Sequence, residues 1–184
     1  MNRFGAEFRA EVDGDTLTGT AVVFSSHAEV KGHLEAVTRA AFEEALGRDD
    51  DVKALVNHNP AMVLGSTRSK TLRLATDEHG LRFELDLPDT TYAHDLKELV
   101  GRNDVTGMSF GFIPHADAWG RAPDGRQLRT YTSFKRLLDV SPVAYPAYDG
   151  TELYLRSMTF DRPRTTARSQ LIRLRAAQIL REAR

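Results

Sequence analysis

Cysteine is absent from the 184 residues, which excludes a disulfide scaffold, a thiolate-held zinc site and a cysteine nucleophile. Long apolar runs are missing too: no stretch approaches the ~20 residues needed to span a bilayer. The opening residues, Met1-Asn2-Arg3-Phe4-Gly5-Ala6-Glu7, contain no signal-peptide core. These absences lead to the expectation of an intracellular protein in a reducing compartment. No internal repeat or low-complexity tract marks the chain as a solenoid or a linker. What is there is ordinary for a globular domain: 41% hydrophobic residues and enough length to bury one real core.

Net charge is also scarce, at −1 overall, but its distribution is uneven. The segment 161–184 holds seven arginines, two acids and no lysine. Taking that +5 from the total leaves −6 on the first 160 residues, a balance that disfavours nucleic-acid binding by the body of the chain. Proline at 163 marks the boundary, since proline ends one element and suits the first turn of the next. The expected organisation is a domain over residues 1–160 and a basic helical tail over 161–184. In the tail Leu171, Ile172, Leu174, Ala176 and Ile179 recur at partly amphipathic helical spacing, with arginine between them. A solvated helix packed on the domain and a segment that docks on a partner both fit this pattern. Nucleic-acid binding is favoured by the arginine content but by no motif.

The first 160 residues read as mainly β with flanking helices. Alternation of Phe4, Ala6, Phe8, Ala10 and Val12 with polar residues predicts one strand, turning at Asp13-Gly14-Asp15 into a second over Thr16–Phe24. Residues 25–34 are polar and predict a loop. Phe42, Ala45 and Leu46 predict a helix over 39–47, capped by Thr38 and stopped at Gly47. Further strands are predicted at 51–57, 70–75, 81–87, 105–113, 127–132, 134–140 and 152–156. A second helix is predicted over 91–100, capped by Asp89 or Thr90. Many short strands separated by turn signals argue for a barrel or sandwich, because closure removes exposed edges.

Three stretches carry residues of catalytic type: Asn57-His58-Asn59, Met108-Ser109-Phe110-Gly111-Phe112 and Leu138-Asp139-Val140-Ser141-Pro142-Val143. They could supply a base, a nucleophile and a carboxylate. A serine hydroxyl needs an imidazole to take its proton and a third group to hold the imidazole in the useful tautomer. The chain order His, Ser, Asp matches neither chymotrypsin, subtilisin nor the α/β-hydrolases, and there is no Gly-x-Ser-x-Gly elbow. Each residue also has an ordinary structural explanation. Ser109 could be an interior strand hydroxyl beside a bulge glycine, His58 a surface histidine in a polar turn, and Asp139 a strand-end carboxylate paired with Arg136. A metal-dependent hydrolase built on His27, His33 and His58 is a weaker reading, because no His-Glu-x-x-His or comparable ligand spacing is present.

From about Leu17 to Arg156 the chain resembles the prohead maturation protease family of tailed bacteriophages, whose fold is similar to that of the herpesvirus assemblins. The resemblance is carried by separate motifs in the expected order. Leu17-Thr18-Gly19-Thr20-Ala21-Val22-Val23-Phe24 resembles the first long strand. Ala40-Ala41-Phe42 with Leu46 resembles a helix start, with Ala40 where glycine is usual. Leu55-Val56-Asn57-His58-Asn59 with Val63-Leu64-Gly65 resembles the histidine motif. Gly80-Leu81-Arg82-Phe83-Glu84 and Leu87-Pro88-Asp89-Thr90 follow. Gly107-Met108-Ser109-Phe110-Gly111-Phe112 resembles the serine motif, and 138–143 with Pro146-Ala147-Tyr148 the closing motif.

This resemblance implies a closed or partly open antiparallel β-barrel of assemblin type plus the basic C-terminal helix. It implies His58 as general base and Ser109 as nucleophile. It also suggests Asp139 as the third member, where many relatives carry glutamate. Assemblins use a second histidine in that role, which keeps His33, His94 and His115 as alternatives. A backbone N–H near Gly107–Gly111 or an arginine such as Arg136 or Arg102 is a candidate oxyanion donor. The implied activity is a serine endopeptidase with no cofactor and no metal. Its implied partners are the major capsid protein with its scaffolding segment, and itself, through autocleavage and homo-oligomerisation. No membrane or nucleic-acid partner is implied, and the implied location is the host cytoplasm, inside the assembling prohead. The rival reading is a non-catalytic capsid-assembly or scaffolding protein on the same fold.

Overall fold

The computed structural model describes residues 2–6, 11–24, 26–30 and 32–145, with side chains described from residue 14 onward. The strand expected at 152–156 and the helix expected within 161–184 lie outside the described residues.

Two helices form where local spacing demands them. In α1 (Arg39–Gly47), Ala41, Phe42 and Ala45 share the buried face, and the Thr38 hydroxyl accepts the Ala41 N–H at 3.3 Å. In α2 (Thr91–Gly101), Ala93, Leu96 and Val100 form the buried stripe. Thr90 holds the cap position of α2 but makes no side-chain cap bond. Asp89 instead pairs with His94, 3.0 Å away.

The strands are β1 (Asn2–Ala6), β2 (Glu11–Asp13), β3 (Thr16–Val23), β4 (Ala28–Val30), β5 (His33–Val37), β6 (Lys53–Leu55), β7 (Val63–Ser66), β8 (Leu72–Thr76), β9 (Gly80–Asp86), β10 (Gly107–Arg121) and β11 (Gln127–Val143). They make two sheets. One runs β1-β10-β11-β5-β4, with β6 on β11 and β7 on β6. The other runs β2-β3-β9-β8. The protein is mainly β with two helices, as expected, but among the described residues there is no closed barrel and the larger sheet is mixed.

Residue 139 and the tip of β11 explain this departure. β10 occupies one edge of β11 along most of its length, whereas two strands share the other edge: β5 at 128–131 and β6 at Asp139, both parallel to it. The chain leaves β5, crosses over in α1 and returns in β6 running the same way, the connection parallel neighbours require. The sheet then continues outward to β4 and β7 instead of closing.

Three further expectations are corrected. The single N-terminal strand is divided between the sheets: β1 pairs with β10, while β2 forms the expected hairpin with β3. Residues 25–34, read as loop, contain β4 and the start of β5, paired antiparallel through Val30↔His33. The two strands read at 127–132 and 134–140 are one continuous strand, β11.

A cluster of rings fills the centre. Phe42 of α1 meets Phe110 and Phe134 edge-on at 5.2 and 5.0 Å, and Phe112 lies 4.4 Å from Phe134 and 5.0 Å from Tyr131. Such ring pairs add about 0.5–1.5 kcal/mol each beyond the area they bury. Gly80 is required by close approach: a Cβ there would sit 1.9 Å from the Val22 carbonyl oxygen, where β9 passes the irregularity in β3. On β10, Met108, Phe110 and Phe112 are fully buried in the core. Strand side chains alternate, so Gly107, Ser109 and Gly111 face the other way, toward the site.

Candidate active site

On that second face the register of β10 against β11 decides which groups meet. Ser109 stands opposite Ser141 and Gly111 opposite Asp139. Residues two apart on one strand, and directly opposed residues on neighbouring strands, share a face. Ser109, Asp139 and Ser141 therefore project from the same face. The other positions around Ser109 on this face are Gly107, Gly111 and, across β1, Gly5. These three glycines put no side chain beside the hydroxyl. Ser109 itself is buried.

His58 reaches this face by a turn. Lys53 of β6 is the ladder partner of Asp139. Had the chain stayed extended and parallel to β11, five residues at ~3.3 Å each would carry position 58 roughly 16 Å past Asp139. Instead a short 3₁₀ turn over Val56–His58 contains two successive left-handed residues, Asn57 (φ 51, ψ 37) and His58 (φ 58). They fold the ring back. Asn57 Oδ1 accepts the Ala144 N–H at 3.0 Å, which ties the turn to the residue following β11.

The ring lands on Asp139, with Nδ1 2.5 Å from Oδ1 and only 7% and 3% of the two side chains exposed. An ionised carboxylate only accepts hydrogen bonds, so Nδ1 is assigned the proton and Nε2 is left as the acceptor nitrogen. That is the tautomer a general base requires. Asp139 Oδ1 also accepts from the Ser141 hydroxyl at 2.5 Å, and Ser141 is completely buried. Next to Asp139 the ladder has a bulge: Gly111 pairs with Asp139 but Phe112 with Leu137, leaving Leu138 as the extra residue. The Leu137 N–H donates to Asp50 Oδ2 at 3.0 Å, so a second carboxylate fixes the bulge that aims Asp139.

Of the three expected site residues, His58 and Asp139 are brought into contact and Ser109 is placed on their face of the sheet. The alternative histidines lie elsewhere. His33 pairs with Glu35 at 2.9 Å on β5, His94 is on α2, and His115 is exposed on β10. Arg102 pairs with Asp104 at the end of α2, and Arg136 is exposed on β11. Positions 108–112 of β10 have a strand on either side, which commits their N–H groups to the ladders. Among the described residues no group of three His, Cys, Asp or Glu side chains is arranged to hold a metal ion, and no helix is long and apolar enough to cross a membrane.

Sequence reading passed over Ser141 and Asn57 as parts of the site. Ser141 had a usable signal, because Asp139-Val140-Ser141 in a strand puts carboxylate and hydroxyl side by side on one face. Asn57 had a weaker one, asparagine being tolerant of left-handed backbone.

A mainly β protein with a buried imidazole–carboxylate pair on the serine-bearing face of its long hairpin has the constituents of a serine-type hydrolase. The family model of the caudovirus prohead serine proteases matches residues 5–163. The chain belongs to that family. Among solved structures it is similar to the bacteriophage T4 capsid assembly protease, gp21, at 9% identity over 78% of this chain and 99% of that one, with a TM-score of 0.47. None of the curated proteins matches.

Proposed function

We propose that the chain is a serine endopeptidase that cleaves capsid and scaffold protein, and itself, during prohead maturation in the host cytoplasm. Ser109 is the nucleophile, His58 the general base and Asp139 the carboxylate that orients it. The observation that carries this reading is the 2.5 Å contact of His58 Nδ1 with Asp139, which leaves Nε2 to serve a hydroxyl on the same face. As Ser109 Oγ attacks the scissile carbonyl carbon, its proton passes to Nε2 and Asp139 stabilises the imidazolium. Collapse of the tetrahedral intermediate breaks the C–N bond, with the Nε2 proton going to the leaving amine. Water then adds to the acyl-enzyme by the same proton route and restores Ser109. The partners are the major capsid protein with its scaffolding segment and further copies of the chain. Confinement in a prohead raises their local concentration without requiring high intrinsic affinity.

The test is co-expression with the cognate capsid protein, with capsid-protein mass as the readout. Ser109→Ala is expected to abolish cleavage, a loss on the order of 10⁶-fold for a triad nucleophile, with an unchanged circular dichroism spectrum. Processing by the alanine protein would remove Ser109 from the mechanism. Equal processing by the double variant Ser109→Ala/His58→Ala would favour the rival reading of a non-catalytic assembly protein.

A further inference from the structure

We propose that Ser141 is a fourth functional member of the site, a positioning residue that fixes the Asp139 carboxylate against His58. The inference rests on the assignment of Ser109, His58 and Asp139 made above. Ser141 is fully buried and its hydroxyl donates to Asp139 Oδ1 at 2.5 Å, the same oxygen that faces His58 Nδ1. A hydroxyl has one proton to give, and here it goes to the carboxylate. Ser141 is thereby unsuited to act as the nucleophile, although it stands directly opposite Ser109 on the neighbouring strand.

The geometry gives this bond two effects. The Asp139 side chain has staggered alternatives about its Cα–Cβ bond, and a donor two residues along the same strand selects the rotamer that puts Oδ1 against Nδ1 of the ring. The donor also withdraws negative charge from Oδ1, so the carboxylate holds the imidazolium less tightly than it would alone. Asp139 is the charged group in contact with the ring. The Lys53 ammonium, on the strand beside it, is taken by Asp51 at 2.8 Å, and Asp50 is taken by the Leu137 N–H and Arg48. Loss of Ser141 therefore acts through Asp139.

The experiment measures the rate at which a fluorophosphonate probe labels Ser109, located by peptide mass, across pH 5 to 9, in the full chain and its variants. Ser141→Ala removes the donor. Ser141→Cys keeps the volume but offers only a weak donor. Both are expected to label at least tenfold more slowly at saturating probe, with probe affinity little changed and the pH–rate midpoint moved to higher pH. Ser141→Thr, which restores a hydroxyl, is expected to recover part of the rate at the original midpoint. A wild-type rate and midpoint in the cysteine variant would show that Ser141 only fills space, and would overturn the proposal. Ser109→Ala separates the two levels: if that variant still takes up probe at the wild-type rate, the assignment of the nucleophile fails. Ser109-dependent labelling that ignores position 141 sinks the role of Ser141 alone.

Discussion

Asn57 shows how a single residue sets the site. Left-handed backbone costs a non-glycine residue of order 1 kcal/mol or more, and Asn57 and His58 both adopt it in succession. Asparagine tolerates this conformation, and its side chain recovers part of the cost through the Ala144 N–H. Replacements divide these contributions. Asn57→Gly keeps the backbone free to turn and loses the hydrogen bond, at about 1 kcal/mol. Asn57→Ala loses both, at about 2 kcal/mol. Urea denaturation should rank wild type above glycine above alanine, and Ser109 labelling should follow the same order. Equal midpoints for glycine and alanine would mean that the turn's conformation is not what Asn57 supplies. At this scale His58, Ser109 and Asp139 stood out as candidates, because motif context marks residue types. The dihedral angles that carry His58 back to Asp139 were not, since a tether to residue 144 imposes them from the far end of the fold.

Among the elements, the β8–β9 hairpin was read correctly from its alternation and turn residues. Its turn is built around Asp77. One carboxylate oxygen accepts the N–H groups of His79 and Gly80 at 2.8 Å each, and the other accepts from Arg82 at 2.6 Å. The Arg82 guanidinium, aided by those backbone donors, lowers the Asp77 pKa from 3.8 to about 2. A carboxylate with a depressed folded-state pKa adds stability that is fully present above its unfolded value. That stability is lost as pH falls from about 4 through about 2. Asp77→Asn keeps one acceptor oxygen for the turn N–H groups and removes the charge. The variant is expected to be less stable than wild type at pH 6, with the gap narrowing as pH falls to 2, as measured by urea midpoints. A gap independent of pH would show that the charge is not involved. The elements misread from sequence are those whose partner is remote. β1 looked continuous with β2 but pairs with β10, and β5 and β6 were invisible as parallel neighbours of β11. Alternation reports which face is buried but not which strand covers the edge, and so two sheets were read as a barrel.

For the molecule as a whole, the two faces of the β10–β11 hairpin divide the work. One face holds Phe110, Phe112 and Phe134 in the ring cluster, and the other carries Ser109, Asp139 and Ser141. The core thus backs the site from the opposite face of the same hairpin. Truncating a buried phenylalanine typically costs about 3–5 kcal/mol, and Phe134 packs against three rings, Phe42, Phe110 and Phe112. Phe134→Ala is expected to lower the thermal transition sharply. Below that transition it should retain much of the Ser109 labelling rate, because β11 stays paired with β10 on both sides of position 134. Labelling should then vanish over the same temperature interval as the circular dichroism signal. Ser141→Ala should do the reverse, slowing labelling with little change in the transition. If Phe134→Ala instead lost labelling well below its unfolding, the site face would have to open independently of the core. The hairpin would then be two units whose coupling depends on the rings.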